Sequence, residues 1–137
     1  MGLLIGAARR TLKQAVLRKA KPLRLTAPQF WFLNAAREMP GATLGELARR
    51  QQLDAPTASR LADSLAGRGY LRLSADRRDR RALRVSLTTA GSRVAERIWP
   101  LADAVRGAVV QGMTEAEQAT LRRALTKVIR NLEELAG

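Results

Sequence analysis

Between Asp76 and Arg84 the chain places five arginines, Arg77, Arg78, Arg80, Arg81 and Arg84, within nine residues, with only Asp76 and Asp79 among them. Guanidinium groups this close repel one another, so the stretch suits a partner that brings dense negative charge. Arginine's planar fork matches phosphate oxygens and guanine edges better than lysine's point charge does. The whole chain repeats the bias. Lys plus Arg is 25 and Asp plus Glu is 12, a formal net charge of +13 over 137 residues. The lysines are only Lys13, Lys19, Lys21 and Lys127. Such a charge destabilises a compact monomer by self-repulsion and favours a polyanion. Other chemistries lack their residues. With no cysteine and no histidine, disulfides, thiol redox sensing and the usual zinc and haem ligands are excluded. The commonest general base and the Ser-His and Cys-His pairs are excluded with them. The acids are scattered without a paired-carboxylate pattern, and there is no Gly-rich phosphate loop. The expectation is a binding protein, not an enzyme, with no metal and no cofactor.

The elements that must carry this charge are legible as periodicities. A first helix spans about Leu3 to Lys21, with Leu4, Ile5, Ala8, Leu12, Ala15 and Val16 on one face, and Pro22 stops it. A second opens at Thr26 with the capping box Thr26-x-x-Gln29, tolerates Pro28 in its first turn, and ends at Pro40-Gly41. Phe30 and Leu33 mark its apolar side. A third is capped by Thr43 and Glu46, carries Leu44, Leu47 and Ala48, and ends near Gln51. Only about three residues later Asp54 caps a fourth, whose stripe is Ala58, Leu61, Ala62 and Leu65 and whose end is Gly69. Two short helices joined so tightly are a helix-turn-helix candidate, or an ordinary helical hairpin. Leu71 to Ser74 and Leu83 to Leu87 then alternate with period two, so the arginines occupy the loop of a β-hairpin. Asp76 and Asp79 favour turns by bonding their own backbone, and can also hold neighbouring arginines in fixed directions. A long helix from Thr88 to about Gly112 is expected to bend at Pro100. A last helix, capped by Thr114 and Glu117, carries Leu121, Leu125, Val128, Leu132 and Leu135 at steps of four and three, a seam suited to another helix. A chain this short offers that seam no sufficient partner, so a second subunit is expected to cover it.

The predicted fold class is mainly α (α+β): a winged helix-turn-helix with flanking long helices forming a dimerisation domain. The expected organisation is a single domain over 1–137, with the helix-turn-helix at 43–69, the hairpin wing at 70–87, and long flanking helices at 1–22 and 89–137. In this arrangement the second helix of the helix-turn-helix enters a major groove and the hairpin tip reaches a minor groove, whose negative potential rewards inserted arginine.

The stretch "DAPTASRLADSLAGRGYLRLSADRRDRRALRVSLTTAG", with "LTAPQFWFL" ahead of it, resembles the MarR (multiple-antibiotic-resistance regulator) family of bacterial and archaeal transcriptional regulators. The likeness lies in the helix segment "TASRLADSL", the turn "RGYL" and the wing "DRRDRRALRVSLTTAG", and extends from about Leu12 through the last helix. The resemblance implies a homodimer, with 1–22 and 89–137 as its dimerisation helices, that binds palindromic double-stranded DNA as a transcriptional repressor. Residue by residue, it implies DNA contacts by Thr57, Ser59 and Arg60 of the recognition helix and minor-groove insertion of Arg80. Asp79 and Arg81 would brace the wing, and Arg77 and Arg78 would add phosphate contacts. It also implies release by a small aromatic effector, for which Trp31, Asn34 and Trp99 are candidate lining residues. Plainer readings stand beside these: a solvated charged turn at 77–81, a backbone anchor at Arg60, and core positions for both tryptophans.

Two further function classes compete. A non-sequence-specific basic nucleic-acid-binding or architectural protein would bind operator and random duplex alike, with strong salt dependence. A membrane-surface or protein-interaction module built on the basic first helix would keep its binding when the wing arginines are lost. No apolar run approaches the roughly 18 residues of a spanning helix, and the short "MGLLIGAA" lacks a basic leader, so a cytoplasmic location without membrane partners is expected.

Overall fold

The computed structural model describes residues 1–137, which divide into two compact units, Met1–Val105 and Arg106–Gly137. The first contains α1 (Gly2–Ala20), a single 3-10 turn at Lys21–Leu23, α2 (Ala27–Glu38), α3 (Leu44–Gln51), α4 (Ala55–Gly67), β1 (Leu71–Ala75), β2 (Leu83–Leu87) and most of α5 (Thr89–Val110). The second contains the end of α5 and α6 (Glu115–Ala136).

Local chemistry accounts for the boundaries. Thr26, Thr43 and Thr114 each accept the backbone N–H three residues on, while Gln29, Glu46 and Glu117 reach back to the cap's own N–H. These closed boxes satisfy two of the four orphan donors at a helix start. Asp54 caps α4 by accepting from Thr57 N at 2.8 Å. Gly69 follows α4 with φ +79°, the left-handed conformation that a Cβ disfavours. Helix α3 ends instead on a non-glycine left-handed residue, Gln52 at φ 55°. That turns the chain within three residues into α4.

The core of the first unit gathers around α2. Phe30, Phe32, Leu33, Asn34, Ala35 and Ala36 are all buried, so α2 is covered nearly all round, beyond the one-sided stripe its spacing suggests. A helix apolar on most faces belongs inside a domain. Leu47 of α3, Ala58, Ala62 and Leu65 of α4, Leu71 of β1, Val85 of β2 and Ile98 of α5 complete the same cluster. From α1 only Val16 and Ala20 are buried, and Leu3, Leu4, Leu12 and Leu17 stay exposed. Helix α5 runs unbroken through Pro100.

The sheet is one antiparallel pair, with Leu71 opposite Leu87, Leu73 opposite Val85 and Ala75 opposite Leu83. A short third rung, which the alternation pattern does not reveal, fastens it to the helices. Thr43 bridges to Arg84, and Val85 N donates to Ala42 O at 2.9 Å. The hairpin is therefore tied by backbone bonds to the residues that open α3.

The far end of the hairpin is fixed at Thr88. Its N–H donates to Tyr70 O at 3.1 Å, its hydroxyl donates to Gly69 O, and the same oxygen accepts from Gly91 N at 3.0 Å, capping α5. A Cβ on Gly91 would overlap the Tyr70 carbonyl. This is the physical content of the "TTAG" that follows the wing.

In the second unit, α6 has no buried residue. Leu121, Leu125, Ile129, Leu132 and Leu135 are exposed, the last two by 58% and 83%.

Candidate nucleic-acid interface

The charged loop is an ordered turn. Asp76 N donates to Ala82 O at 2.9 Å and Ala82 N to Asp79 O at 3.0 Å, closing the loop on itself. Asp76, buried although charged, receives Asp79 N on one carboxylate oxygen at 3.3 Å and Arg84 Nη2 on the other at 2.8 Å. The Arg84 bond, supported by the Asp79 and Arg77 backbone N–H groups, outweighs desolvation and holds the Asp76 carboxyl below its ordinary value. Asp79 accepts from Arg81 N at 3.0 Å, with the Arg81 guanidinium at 3.6 Å.

Each acid is thereby committed to one arginine, Asp76 to Arg84 and Asp79 to Arg81. The ion pairs of the structure leave Arg77, Arg78 and Arg80 without an acidic partner, and all three are exposed. The loop holds three uncompensated guanidiniums outward on a frame made by the other two. Asp79 and Arg81, expected to brace the wing, do bond each other. The more buried brace is Asp76 with Arg84, a pairing that spacing alone does not choose.

Helix α4 presents the second surface. Ala58, Ala62 and Leu65 turn inward, which leaves Thr57, Arg60 and Ser64 at steps of three and four on the outer side. Arg60 is exposed and its Nη2 donates to Thr57 Oγ1 at 3.3 Å. Bonds from the Thr57 side chain and backbone, and then the Arg60 charge, hold the Asp54 carboxyl below its ordinary value. Asp54, Thr57 and Arg60 thus form a short chain of contacts at the helix start. Ser59 is half-buried beside it.

One residue outside the predicted set orients the helix. Gln29, whose Oε1 closes the α2 capping box at 3.0 Å from Thr26 N, donates Nε2 to Ser64 Oγ at 2.9 Å. The signal was the glutamine of the capping box, which has a second polar atom to spare. A cleft of about 570 Å³ separates the starts of α3 and α4 from the wing loop and is lined by Thr43, Glu46, Arg49, Ala55, Asp76 and Arg81 among others.

The three candidate effector residues are placed differently from one another. Asn34 is buried, with Nδ2 donating to Glu38 Oε1 at 2.7 Å. Trp31 is half-buried and lies edge-on to Phe30, ring centroids 5.2 Å apart. Trp99 is 39% exposed and carries the Arg37 guanidinium 5.3 Å from its ring centroid. Arg37 also pairs with Glu96 at 3.4 Å. A cleft of about 380 Å³ beside that pair, lined by Arg37, Gly41, Val85, Leu87, Ser92 and Glu96 among others, does not include the three candidates. No helix is long and apolar enough to cross a membrane.

Comparison with known proteins agrees with this geometry. The MarR family model matches residues 25–82, from the start of α2 to the wing loop. The HTH-type transcriptional regulator YwaE of Bacillus subtilis is 33% identical over 87 residues, 64% of this chain; the matched part is about half of that relative, 51%. A cysteine-to-serine mutant of Escherichia coli MarR, solved with operator DNA, superposes with a TM-score of 0.76 at 28% identity, covering 93% of this chain and 91% of that one. Bordetella bronchiseptica BpsR, described for regulation of its DNA binding by 6-hydroxynicotinic acid, gives 0.77 at 26% identity with the same coverage, 93% and 91%. With the helix-turn-helix, the braced wing and these likenesses in agreement, the chain has a winged helix-turn-helix fold and is similar, over the match at 25–82 and across the superposed structures, to the MarR family of transcriptional regulators.

Proposed function

We propose that this protein is a homodimeric, sequence-specific double-stranded-DNA-binding repressor that reads a palindromic operator and is released by a small aromatic compound. The observation that carries the reading is the division of charge in the wing. Two acids each hold one arginine as frame, and Arg77, Arg78 and Arg80 are left exposed beside an α4 whose outer face carries Arg60. A frame that aims cations has a use only if their direction matters. Direction matters for a groove and not for diffuse attraction.

Helix α4 enters the major groove, where Arg60, with Thr57 and Ser59, reads base edges. Arg80 enters the adjacent minor groove, and Arg77 and Arg78 contact the flanking phosphates. The exposed leucines of α6, with those of α1, are the subunit interface, because apolar surface of this extent marks an association site. Two copies related by a two-fold axis place two wings on two half-sites. The protein works by binding, in the cytoplasm where its DNA is, and occupancy of a promoter blocks transcription.

An aromatic acid has a candidate position at Trp99, whose face already holds Arg37. Trp31 and Asn34 are the other members of that assignment. Tryptophan fluorescence titrated with aromatic carboxylates, against Trp99→Phe, tests it. The function itself is tested by affinity for an operator selected from random duplex and for unselected duplex. A specific regulator binds the first at least about 10³-fold more tightly, and equal affinities would favour the architectural reading.

A further inference from the structure

Beyond the wing, we infer that Arg24 and Arg68, with Lys21, form a second phosphate-binding patch at the opposite end of the recognition helix, which meets the backbone at the rim of the same major groove. The inference rests on the DNA-binding reading above.

Three observations carry it. The first is placement. Thr57, Arg60, Ser64 and Arg68 follow at steps of three and four, so Arg68 continues the outer side of α4 on which Arg60 lies, roughly 12 Å further along the axis. That distance is comparable to the width of the major groove, about 12 Å. An α4 with Arg60 in the groove therefore brings Arg68 toward its rim.

The second is charge. Arg68 Nη1 donates to the carbonyl of Arg24, and its guanidinium lies over the Tyr70 ring at 5.0 Å. The Arg68 guanidinium is thus held against the backbone of Arg24, and both residues are exposed. Neither takes part in an ion pair of the structure, and neither does Lys21. No acidic residue precedes Glu38 in the chain. Like charges on neighbouring residues without a counterion are stabilised by a polyanion.

The third is the backbone. Arg24 sits at φ 57°, ψ 39°, closing the 3-10 turn with its N–H on Lys21 O at 2.9 Å. Glycine or asparagine adopts this conformation at less cost. An arginine in a strained exposed position, its carbonyl gripping another arginine, points to a use for the side chain.

The patch has no bases to read, so its contribution is sequence-independent. The experiment measures affinity for operator and random duplex across a salt series with the full-length protein, comparing the unmodified chain with Arg24→Gly/Arg68→Gln. Glycine relieves the left-handed strain, and glutamine keeps a donor for the Arg24 carbonyl. Thermal melting should therefore be unchanged or slightly raised. The expected result is a slope of log affinity against log salt shallower by about one unit per arginine. Operator and random duplex should weaken by the same factor, and Arg24→Lys/Arg68→Lys should restore the slope. A well-folded double variant with unchanged slope and affinity would overturn the patch and leave the functional reading intact. An unmodified protein that shows no preference for operator over random duplex would overturn the functional reading instead.

Discussion

Replacing Gly91 with alanine sets two effects of opposite sign against each other. Gly91 lies in the first turn of α5, where alanine's helix propensity favours it by up to about 1 kcal/mol. The added methyl, however, would overlap the carbonyl of Tyr70. That carbonyl cannot simply withdraw, because it accepts the Thr88 N–H at 3.1 Å, and the Thr88 hydroxyl in turn caps Gly91 N at 3.0 Å. Relief requires the α5 start to part from the β1 start by more than about 1 Å. Overpacking costs about 1–3 kcal/mol, and a weakened buried hydrogen bond adds about 1 kcal/mol. The net expectation is a loss of about 1–3 kcal/mol, or about 4–10 °C in Tm for a chain of this size. Operator affinity should fall further than Tm implies, since the same contact anchors the wing. Thermal melting by circular dichroism with a parallel DNA titration measures both. An alanine variant that melts at or above the parent temperature would show that propensity wins and that the Tyr70 contact does not constrain the wing.

Other perturbations have equally definite expectations. The pair Leu125→Ala and Leu132→Ala should shift the sedimentation profile toward monomer, at about 2–5 kcal/mol per leucine if a partner buries them; a dimer of unchanged strength would place the interface elsewhere. Arg60→Ala should weaken operator binding by about 1–3 kcal/mol while changing random-duplex binding little, and equal loss on both would make Arg60 a phosphate anchor. Asp54 and Asp76 are both held below the ordinary carboxylate value of 3.8. Their contribution to stability is therefore present above about pH 4 and lost as pH falls through their lower folded values. Asp54→Asn keeps the cap and cannot titrate, so its melting temperature should fall less steeply below pH 4; an unchanged acid slope would remove Asp54 from the account.

Much of this arrangement was legible from local rules, and the rest depended on contacts between distant segments. The capping boxes at Thr26, Thr43 and Thr114, the cap at Asp54 and the left-handed Gly69 are determined within four residues of themselves, and spacing placed them correctly. The burial of α2 on nearly every face was not, because Phe32 and Asn34 lie outside its main stripe and become interior only when several elements pack around it. The rung from Thr43 to Arg84 involves too few residues to alternate. The choice of Arg84 for Asp76 and Arg81 for Asp79 needs the hairpin register, since any of five arginines is near enough in sequence. The effector residues are the least legible: Trp31, Asn34 and Trp99 rest on the family resemblance alone, while their environments differ from buried to exposed.

The central claim is that the wing aims Arg80 into a minor groove. Fluorescence anisotropy on a selected operator duplex, with the unmodified protein, Arg80→Ala and Arg80→Lys at one ionic strength, tests it directly. The account predicts that alanine weakens operator binding by about 5- to 150-fold, the equivalent of about 1–3 kcal/mol for one specific contact. Lysine should recover only part of that loss, and dimer and melting temperature should be preserved. An Arg80→Ala protein that binds the operator with the parent's affinity, or a lysine variant that restores it fully, would contradict the claim and reduce the wing to diffuse charge.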